Sequence, residues 1–431
     1  RDDSRKDPEI ISHLNEENSY LENWFISGND YRNALFEEIT DRIPKNEDSV
    51  PVRLKNFEYF RRYKQENEYG IYIRRKDKNS EEKILLDVNE LAKNKDFYQL
   101  ANWSISPKEN LMAYAEDTSG RRQYTIKFKD LENEETSIFF IENTSGDMAW
   151  SSDGRYLFYV IRDEETLLPY KLFRHEIGTS QEKDVAIYEE KDTTFYLSVG
   201  NTRSMEYIEV NISSTTSSEV RLIKSDSPDM NPQIFLPREE DHLYSVDHDP
   251  ASSRFLIESN WKALNFRLLE TNLNNSSEKN KWKELIPHRE HTLLQSVIPF
   301  PEHLIIMERE NGLRKLKILH KESKKEKEIN FNDPTYTAYL AANPEYYIDR
   351  FYFGYSSMRT PDSLFSVMLS SGRKRLLKEA RVKGGFSSDD YKVDREFIIA
   401  RDGTQVPVSI VYKKNKFIKN GNPIFLYGYG S

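Results

Sequence analysis

The side chains most able to do chemistry in this sequence are its eight histidines and the acids beside them. His288 and His291 stand three residues apart, a spacing that can ligate a metal from one face of a helix. Asp241-His242 and the Asp-His-Asp run at 247–249 place carboxylates beside imidazoles. Because the chain holds 72 Asp and Glu, such neighbours arise by chance, and we interpret them as ordinary surface or turn residues. The sequence therefore predicts no metal ion and no cofactor.

Patterns that mark a catalytic nucleophile or a nucleotide site are absent from the 431 residues. A nucleophilic serine is often carried by Gly-x-Ser-x-Gly, because a strained strand-to-helix turn lifts its hydroxyl beside a base. None of the 16 glycines begins that pattern, and His-Glu-x-x-His, Gly-x-Gly-x-x-Gly and the phosphate loop are absent as well. The chain has no cysteine, which excludes disulfides, thiol nucleophiles and cysteine-ligated zinc.

Composition and charge narrow the class of protein further. A length of 431 residues allows about three domain-sized units, and 26 Tyr, 23 Phe and 5 Trp indicate a chain that forms a core. The net charge of −9 lacks the basic footprint of nucleic-acid binding. No apolar run approaches the roughly 18 residues of a membrane span, and the first residues do not resemble a secretory signal. We expect a cytoplasmic protein with no nucleic-acid or membrane partner.

Two helices and a polar hairpin tip are predicted from local patterns. Asp7 can cap a helix that has Pro8 at its first position, and apolar residues mark one face of a helical region that extends to about Pro44. A second helix is expected over about 30–43. The basic run Lys321, Lys324, Lys325 and Lys327, interleaved with glutamates, indicates a solvated hairpin tip.

From residue 52 onward the apolar period changes to two and a motif recurs. Each copy has a polar turn, an apolar strand, a second turn and an alternating strand. The second strands contain residues spaced by 46 to 55 positions: Tyr69, Tyr124, Tyr170, Val220, Phe266, Leu316 and Phe365. Several strands per copy at a period of about 40 to 50 residues are typical of a β-propeller. We therefore expect an all-β-dominated fold with a seven-bladed propeller over 52–382, preceded by an N-terminal helical segment at 1–50.

The pattern changes again after Gly384-Gly385. Residues 396–400 and 406–412 read as two strands joined by an Asp402-Gly403 hairpin turn. A further strand is expected at 422–426, and the chain ends on Tyr427-Gly428-Tyr429-Gly430-Ser431. Residues 386–431 are too few for a domain, and both chain ends look cut.

At this junction the sequence closely resembles the prolyl oligopeptidase family of serine peptidases, and within it the oligopeptidase B branch. The resemblance covers essentially the whole chain. The motifs that carry it lie in order at 1–3, 16–20, 68–75, 86–89, 117–124, 166–170, 174–175, 354–361, 402–412 and 427–431. The segment from Asp117 to Tyr124 favours this branch over the proline-specific one.

The resemblance implies a cytosolic serine peptidase in which a propeller caps an α/β-hydrolase domain and admits only short peptides. The branch cleaves after Arg or Lys through acids of its catalytic domain. Its Tyr-Gly-Tyr-Gly motif supplies an oxyanion donor, which corresponds to Tyr429. Residues 386–431 would then be the first strands of the α/β-hydrolase domain.

The sequence departs from the family in one respect that matters for activity. The family's Ser, Asp and His follow the Tyr-Gly-Tyr-Gly motif, and residue 431 precedes all three, so this chain alone is expected to be inactive. The alternatives are a stand-alone propeller that serves as an interaction scaffold, and a proline-specific oligopeptidase. The sequence does not give the oligomeric state.

The family's N-terminal helices pack on its catalytic domain, which predicts uncovered apolar residues in this chain. The predicted set comprises Ile10, Leu14, Leu21, Trp24, Phe25 and the segment 424–426.

Overall fold

The chain begins with two helices in the computed structural model, which describes residues 6–65 and 67–428. These helices are α1 (Pro8–Phe25) and α2 (Asn29–Asp41). The Asp7 carboxylate accepts hydrogen bonds from the backbone N–H groups of Glu9 at 2.9 Å and Ile10 at 3.3 Å. It thereby satisfies two of the unpaired donors at the helix start, and the predicted cap is confirmed.

The apolar faces of both helices lie open to solvent. Neither helix has a buried residue. Ile10, Leu14, Leu21 and Trp24 are 42%, 55%, 51% and 66% exposed, as the sequence predicted. Phe25 differs, since it is half-buried and packs edge-on against Trp24. None of the helices of the described chain is long and apolar enough to cross a membrane.

The first sheet has an edge strand that is interrupted. Its strands are β1 (Glu47–Asp48), β2 (Val52–Leu54), β3 (Phe57–Tyr63), β4 (Ile71–Arg75) and β5 (Lys83–Asp87), and the short helix α3 (Val88–Ala92) follows. Both β1 and β2 pair antiparallel with β3, at opposite ends of it. Residues 49–51 interrupt the strand between them.

The second sheet contains seven antiparallel strands. They are β6 (Gln99–Ile105), β7 (Leu111–Asp117), β8 (Tyr124–Asp130), β9 (Thr136–Trp150), β10 (Tyr156–Arg162), β11 (Pro169–Glu176) and β12 (Val185–Glu189). Strand β9 is fifteen residues long. Thr136 pairs with Lys129 of β8, and Trp150 pairs with Leu157 of β10. One strand therefore joins both halves of the sheet.

Four further sheets of four antiparallel strands complete the ring. The third and fourth sheets comprise β13 (Tyr196–Asn201), β14 (Tyr207–Ser213), β15 (Ser218–Lys224), β16 (Gln233–Leu236), β17 (Tyr244–Asp249), β18 (Arg254–Ser259), β19 (Arg267–Thr271) and β20 (Lys283–Ile286). The fifth and sixth comprise β21 (Thr292–Pro299), β22 (His303–Glu310), β23 (Leu313–His320), β24 (Glu326–Glu328), β25 (Thr337–Leu340), β26 (Arg350–Ser356), β27 (Ser363–Met368) and β28 (Lys374–Glu379).

The expected number of seven blades is wrong. Within the described residues, five sheets of the propeller have the four or five strands of one blade, and the remaining sheet has seven strands. The physical reason is β9, a single strand between the markers Tyr124 and Tyr170 that pairs with both β8 and β10 despite register shifts along its length. The sequence repeat is real, but it does not divide the backbone hydrogen bonding into seven sheets.

Alternation along the strands builds the core between neighbouring sheets. In β14, Ile208, Val210 and Ile212 are fully buried while the residues between them are partly exposed. This is the period-two pattern of a strand with one face in a core. These three residues pack in one cluster with Phe158 and Leu172 of the seven-stranded sheet. Full burial of one such side chain stabilises the folded state by about 1.5–3 kcal/mol.

The joint between the first and last sheets is polar instead. In the described residues these two sheets share no hydrophobic cluster. The Lys378 ammonium lies 2.7 Å from the Glu47 carboxylate and donates to the Asp48 carbonyl at 2.7 Å. The backbone N–H of Lys55 donates to the Glu345 carboxylate at 2.9 Å. Side-chain contacts rather than an apolar core therefore close the ring.

The predicted strands are largely confirmed. Of the seven predicted second-strand markers, Tyr69 and Phe266 lie just before β4 and β19, and the other five lie inside strands. Strands β29 (Tyr391–Ile399) and β30 (Gln405–Lys413) form the predicted hairpin. The further strand expected at 422–426 is wrong, because no described strand pairs with it. Ile424, Phe425 and Leu426 are 85–90% exposed.

Candidate functional site

A cavity of about 710 Å³ lies where the first, second, third and last sheets of the ring meet. Ser49 and Val50, in the break between β1 and β2, form part of its wall. Another part of the wall comes from the β13–β14 turn, with Asn201 and Arg203, and from Pro344 in the loop before β26. Ligand sites in proteins have volumes of about 300 to 1,000 Å³, so this cavity is large enough for a small molecule.

Arg203 of the cavity wall donates hydrogen bonds to three backbone carbonyls. Its Nε donates to the Asn343 carbonyl at 2.6 Å, one terminal nitrogen donates to the Glu345 carbonyl at 2.8 Å, and the other donates to the Pro299 carbonyl. Its guanidinium carbon lies 4.4 Å from the centre of the Phe300 ring. Burial lowers the pKa of Arg203. The side chain thus links three sheets across the ring.

A second polar cluster ties the fourth, fifth and last sheets together. Asp249 is buried, and its two carboxylate oxygens accept hydrogen bonds from Lys321 at 2.7 Å and from the Tyr346 hydroxyl at 2.5 Å. Burial lowers the pKa of Lys321, and the bond to Asp249 opposes that shift. Lys321 therefore does not belong to the solvated hairpin tip that the sequence predicted. Lys324, Lys325 and Lys327 are exposed, as expected.

Three acids of the inner strands have pKa values well above the ordinary range. Burial raises the pKa of Glu209 and of Glu258 to about 7, and that of Asp247 to about 6. Asp247 raises the pKa of both glutamates further by charge repulsion. Arg203 acts on Asp247 in the opposite direction, by charge attraction. These strands therefore carry three acids that titrate near neutral pH.

Two motifs that carried the family resemblance have structural functions. The Asp117 carboxylate accepts hydrogen bonds from the backbone N–H groups of Ser119 at 2.7 Å, Gly120 at 3.0 Å and Arg122 at 2.8 Å, and so fixes the loop between β7 and β8. Such a loop uses one carboxylate to satisfy several backbone donors.

The motif at 354–361 is organised by an acid that sequence reasoning missed. Asp333 is buried, and it accepts hydrogen bonds from Tyr355 at 2.7 Å, Arg359 at 2.6 Å and Thr360 at 3.0 Å. These bonds hold the pKa of Asp333 below its usual range, against the opposing effect of burial. Asp333 lies outside the motif in the sequence, so spacing alone gave no signal for it.

The histidines singled out in the sequence are not brought together. His288 and His291 are exposed and lie outside any helix. His242 and His248 are buried, which corrects the expectation of ordinary surface residues, and they contact Ser259 at 2.8 Å and Ser204 at 3.0 Å. Burial lowers the pKa of both imidazoles.

Two further points concern metal ligands and the predicted catalytic residue. Residues 6–65 and 67–428 contain no group of three or more acids or histidines that could hold a metal ion. Tyr429, the one predicted catalytic residue, lies outside the described residues.

Two curated proteins are similar to this chain in sequence over almost its whole length. Dipeptidyl aminopeptidase BI of Pseudoxanthomonas mexicana is 33% identical, over 100% of this chain and 61% of its own length. Protease 2 of Moraxella lacunata is 32% identical, over 99% of this chain and 62% of its own length. The chain thus spans less than two thirds of these relatives.

Solved structures of oligopeptidase B match the fold closely. The Leishmania major enzyme has a TM-score of 0.91 at 28% identity, over 98% of this chain and 61% of that one. The Trypanosoma brucei enzyme with covalently bound antipain has a TM-score of 0.92 at 28% identity, over 100% and 62%. The sequence model described as the N-terminal β-propeller domain of prolyl oligopeptidase matches residues 1–380. The chain therefore belongs to the prolyl oligopeptidase family.

Proposed function

We propose that this chain is the propeller part of a serine oligopeptidase of the oligopeptidase B type, which hydrolyses short peptides after Arg or Lys. The observation that carries the proposal is the family match over residues 1–380, together with two oligopeptidase B structures that share the fold at 28% identity. The propeller acts as a size filter in this proposal, and short peptides are its substrates.

The segments at both ends of the chain have assigned positions in the proposal. Residues 1–50 pack on an α/β-hydrolase domain, and 386–431 form the start of that domain. The exposed apolar faces of α1 and of the 424–426 segment support this arrangement, because such surfaces are usually covered by another part of a protein. The hairpin β29–β30 supports it too, since Ile398 and Ile399 are 57% and 72% exposed.

In this proposal, hydrolysis requires Tyr429 together with a Ser-His-Asp triad from the part of the full-length protein that follows Ser431. The triad serine attacks the scissile carbonyl, the histidine takes its proton, and the aspartate orients the imidazole. Tyr429 donates its hydroxyl to the oxyanion that forms. The charge that selects an Arg or Lys side chain comes from acids of the hydrolase domain.

A second candidate activity is release of dipeptides from a free amino terminus. It is favoured by one observation, the 33% identity to a protein named dipeptidyl aminopeptidase BI. The two candidates differ in whether the substrate needs an unblocked amino terminus, so one pair of substrates separates them.

The test uses the product of the complete reading frame and two fluorogenic substrates with Arg before the scissile bond. One substrate carries a blocked amino terminus and the other is a free dipeptide. We expect hydrolysis of the blocked substrate and its loss after treatment with a serine-directed phosphonofluoridate. Hydrolysis of the free dipeptide alone would favour the dipeptidyl activity. The absence of both activities would favour the scaffold function.

The size filter needs its own comparison. One Arg-containing sequence is offered first as a free peptide and then as a loop within a folded protein. The free peptide should be cut and the loop left intact. Equal cleavage rates for the two substrates would contradict the filter.

A further inference from the structure

The cavity wall contains a half-buried cation, Arg203, that has no close counter-charge. No carboxylate of the described residues lies within 4.0 Å of the Arg203 guanidinium. Asp247 and Glu345 act on it only at longer range, and the Glu345 carboxylate accepts the backbone N–H of Lys55 at 2.9 Å. A charge removed from water is costly unless it is paired. Three carbonyls hold the side chain in place but do not neutralise it.

Two further observations describe what could pair with Arg203. A guanidinium has five N–H donors, and its bonds to Asn343, Pro299 and Glu345 use three of them. The cavity wall is also electropositive, although the chain carries a net charge of −9. Its charged lining residues are Lys55, Arg61, Arg203 and Glu109.

The single acid of the cavity wall is already engaged. The Glu109 carboxylate accepts hydrogen bonds from the backbone and side chain of Asn56, at 3.2 and 2.6 Å. These neutral donors orient the Glu109 carboxylate but leave its charge in place, so three cationic side chains of the wall face one acid. An anionic group on a ligand would balance the remaining positive charge.

Much of the remaining wall of the cavity is apolar. It includes Val52, Leu54, Tyr72, Trp103, Ile105 and Met148. The Tyr72 and Trp103 rings contact each other edge-to-face, with centroids 6.1 Å apart. A ligand must therefore combine an anionic end with an apolar body in order to satisfy both parts of the wall.

We propose that this cavity binds a small carboxylate on an apolar or aromatic body, with its carboxylate on Arg203. The free carboxyl end of a di- or tripeptide has this chemistry, and so does an aryl-substituted fatty acid. Arg suits the task, because its planar donors match the two oxygens of a carboxylate. The site is built from residues of the propeller, and it does not depend on the proposed peptidase function.

Isothermal titration calorimetry of the natural full-length protein tests the site with acetyl-Leu-Phe and its C-terminal amide. We expect the acid to bind at least about tenfold more tightly than the amide, because a hydrogen bond to a charged group is worth more than a neutral one. This comparison needs no variant. Prior treatment with a serine-directed phosphonofluoridate removes binding at any catalytic serine, so binding should persist after it.

Two variants locate the binding. Ala342 is exposed at the cavity wall, so Ala342→Trp fills the space without touching the core and should weaken the acid by about tenfold or more. Arg203→Gln should abolish the preference for acid over amide. 4-Phenylbutyrate distinguishes the ligand sources: binding as tight as the peptide assigns the site to apolar carboxylates in general, and weaker binding assigns it to peptides. Equal affinity for acid and amide, or unchanged binding by Ala342→Trp, would overturn the proposal.

Discussion

At the scale of single residues, the fold half-buries three acids that ionise reluctantly. Glu209, Asp247 and Glu258 have raised pKa values of about 7, 6 and 7, chiefly through loss of solvent. A raised pKa means that the folded protein binds more protons than the unfolded chain between the two pKa values. The free energy of unfolding therefore falls as pH rises from about 4.5 to about 7.

Glu209→Gln should remove the loss of stability that ionisation of Glu209 causes at high pH, since glutamine keeps the shape without the charge. We expect it to raise the free energy of unfolding at pH 8 by on the order of 1–3 kcal/mol, and to change it little at pH 5. Urea unfolding at both pH values measures the difference. The exposed Glu240 gives the matched control, Glu240→Gln, which should have no such effect. An equal gain at both pH values would contradict this account.

Tyr429→Phe tests the proposed oxyanion donor in the full-length enzyme. Removal of one such donor typically lowers kcat by about 100- to 1,000-fold, because the donor acts on charge that develops in the transition state. KM should change little. Steady-state kinetics on the blocked Arg substrate gives both values, with Tyr427→Phe as the control. A kcat that stays within a few-fold of the unmodified enzyme would rule out this role.

At the scale of elements, local signals succeeded where one short segment decides the structure. The cap at Asp7 and the Asp402-Gly403 hairpin could be predicted because turn and cap residues act on their own neighbours. The burial of His242 and His248 could not be predicted, since it depends on strands that are distant in the sequence. The same holds for Asp333 and for Arg203, whose partners lie up to 142 residues away.

The two N-terminal helices should depend on a partner surface for their stability. They have no buried residue in the described structure, and isolated helices of this length are marginal in water. We expect the backbone amides of α1 to exchange rapidly in residues 1–431 alone and slowly in the full-length protein. Hydrogen exchange detected by mass spectrometry compares the two, with strand β14, whose Ile208, Val210 and Ile212 are buried, as a protected reference.

Residues 1–431 alone should also self-associate through the uncovered apolar faces. Light scattering measures this directly. A monodisperse sample with a protected α1 would show that the helices need no covering domain.

At the scale of the whole molecule, the sequence period indicated a propeller but gave the wrong division into sheets. Periodicity gives the spacing at which turns and strands recur, but it does not determine which strands pair through hydrogen bonds. The seven-stranded sheet shows the difference, because β9 pairs along one part with β8 and along another with β10. The polar joint between the first and last sheets could not be predicted from the sequence either, since it depends on single contacts such as Lys378 with Glu47.

The length of β9 has a consequence for how the ring loses its structure. A backbone ladder that continues through one strand cannot be broken on one side without loosening residues on the other, so β6 to β12 should open as a single cooperative unit. The polar joint offers no comparable coupling between the first and last sheets. Under rising denaturant, the ring should therefore yield first at that joint, and the region around β9 should be the last to lose its slow-exchanging amides.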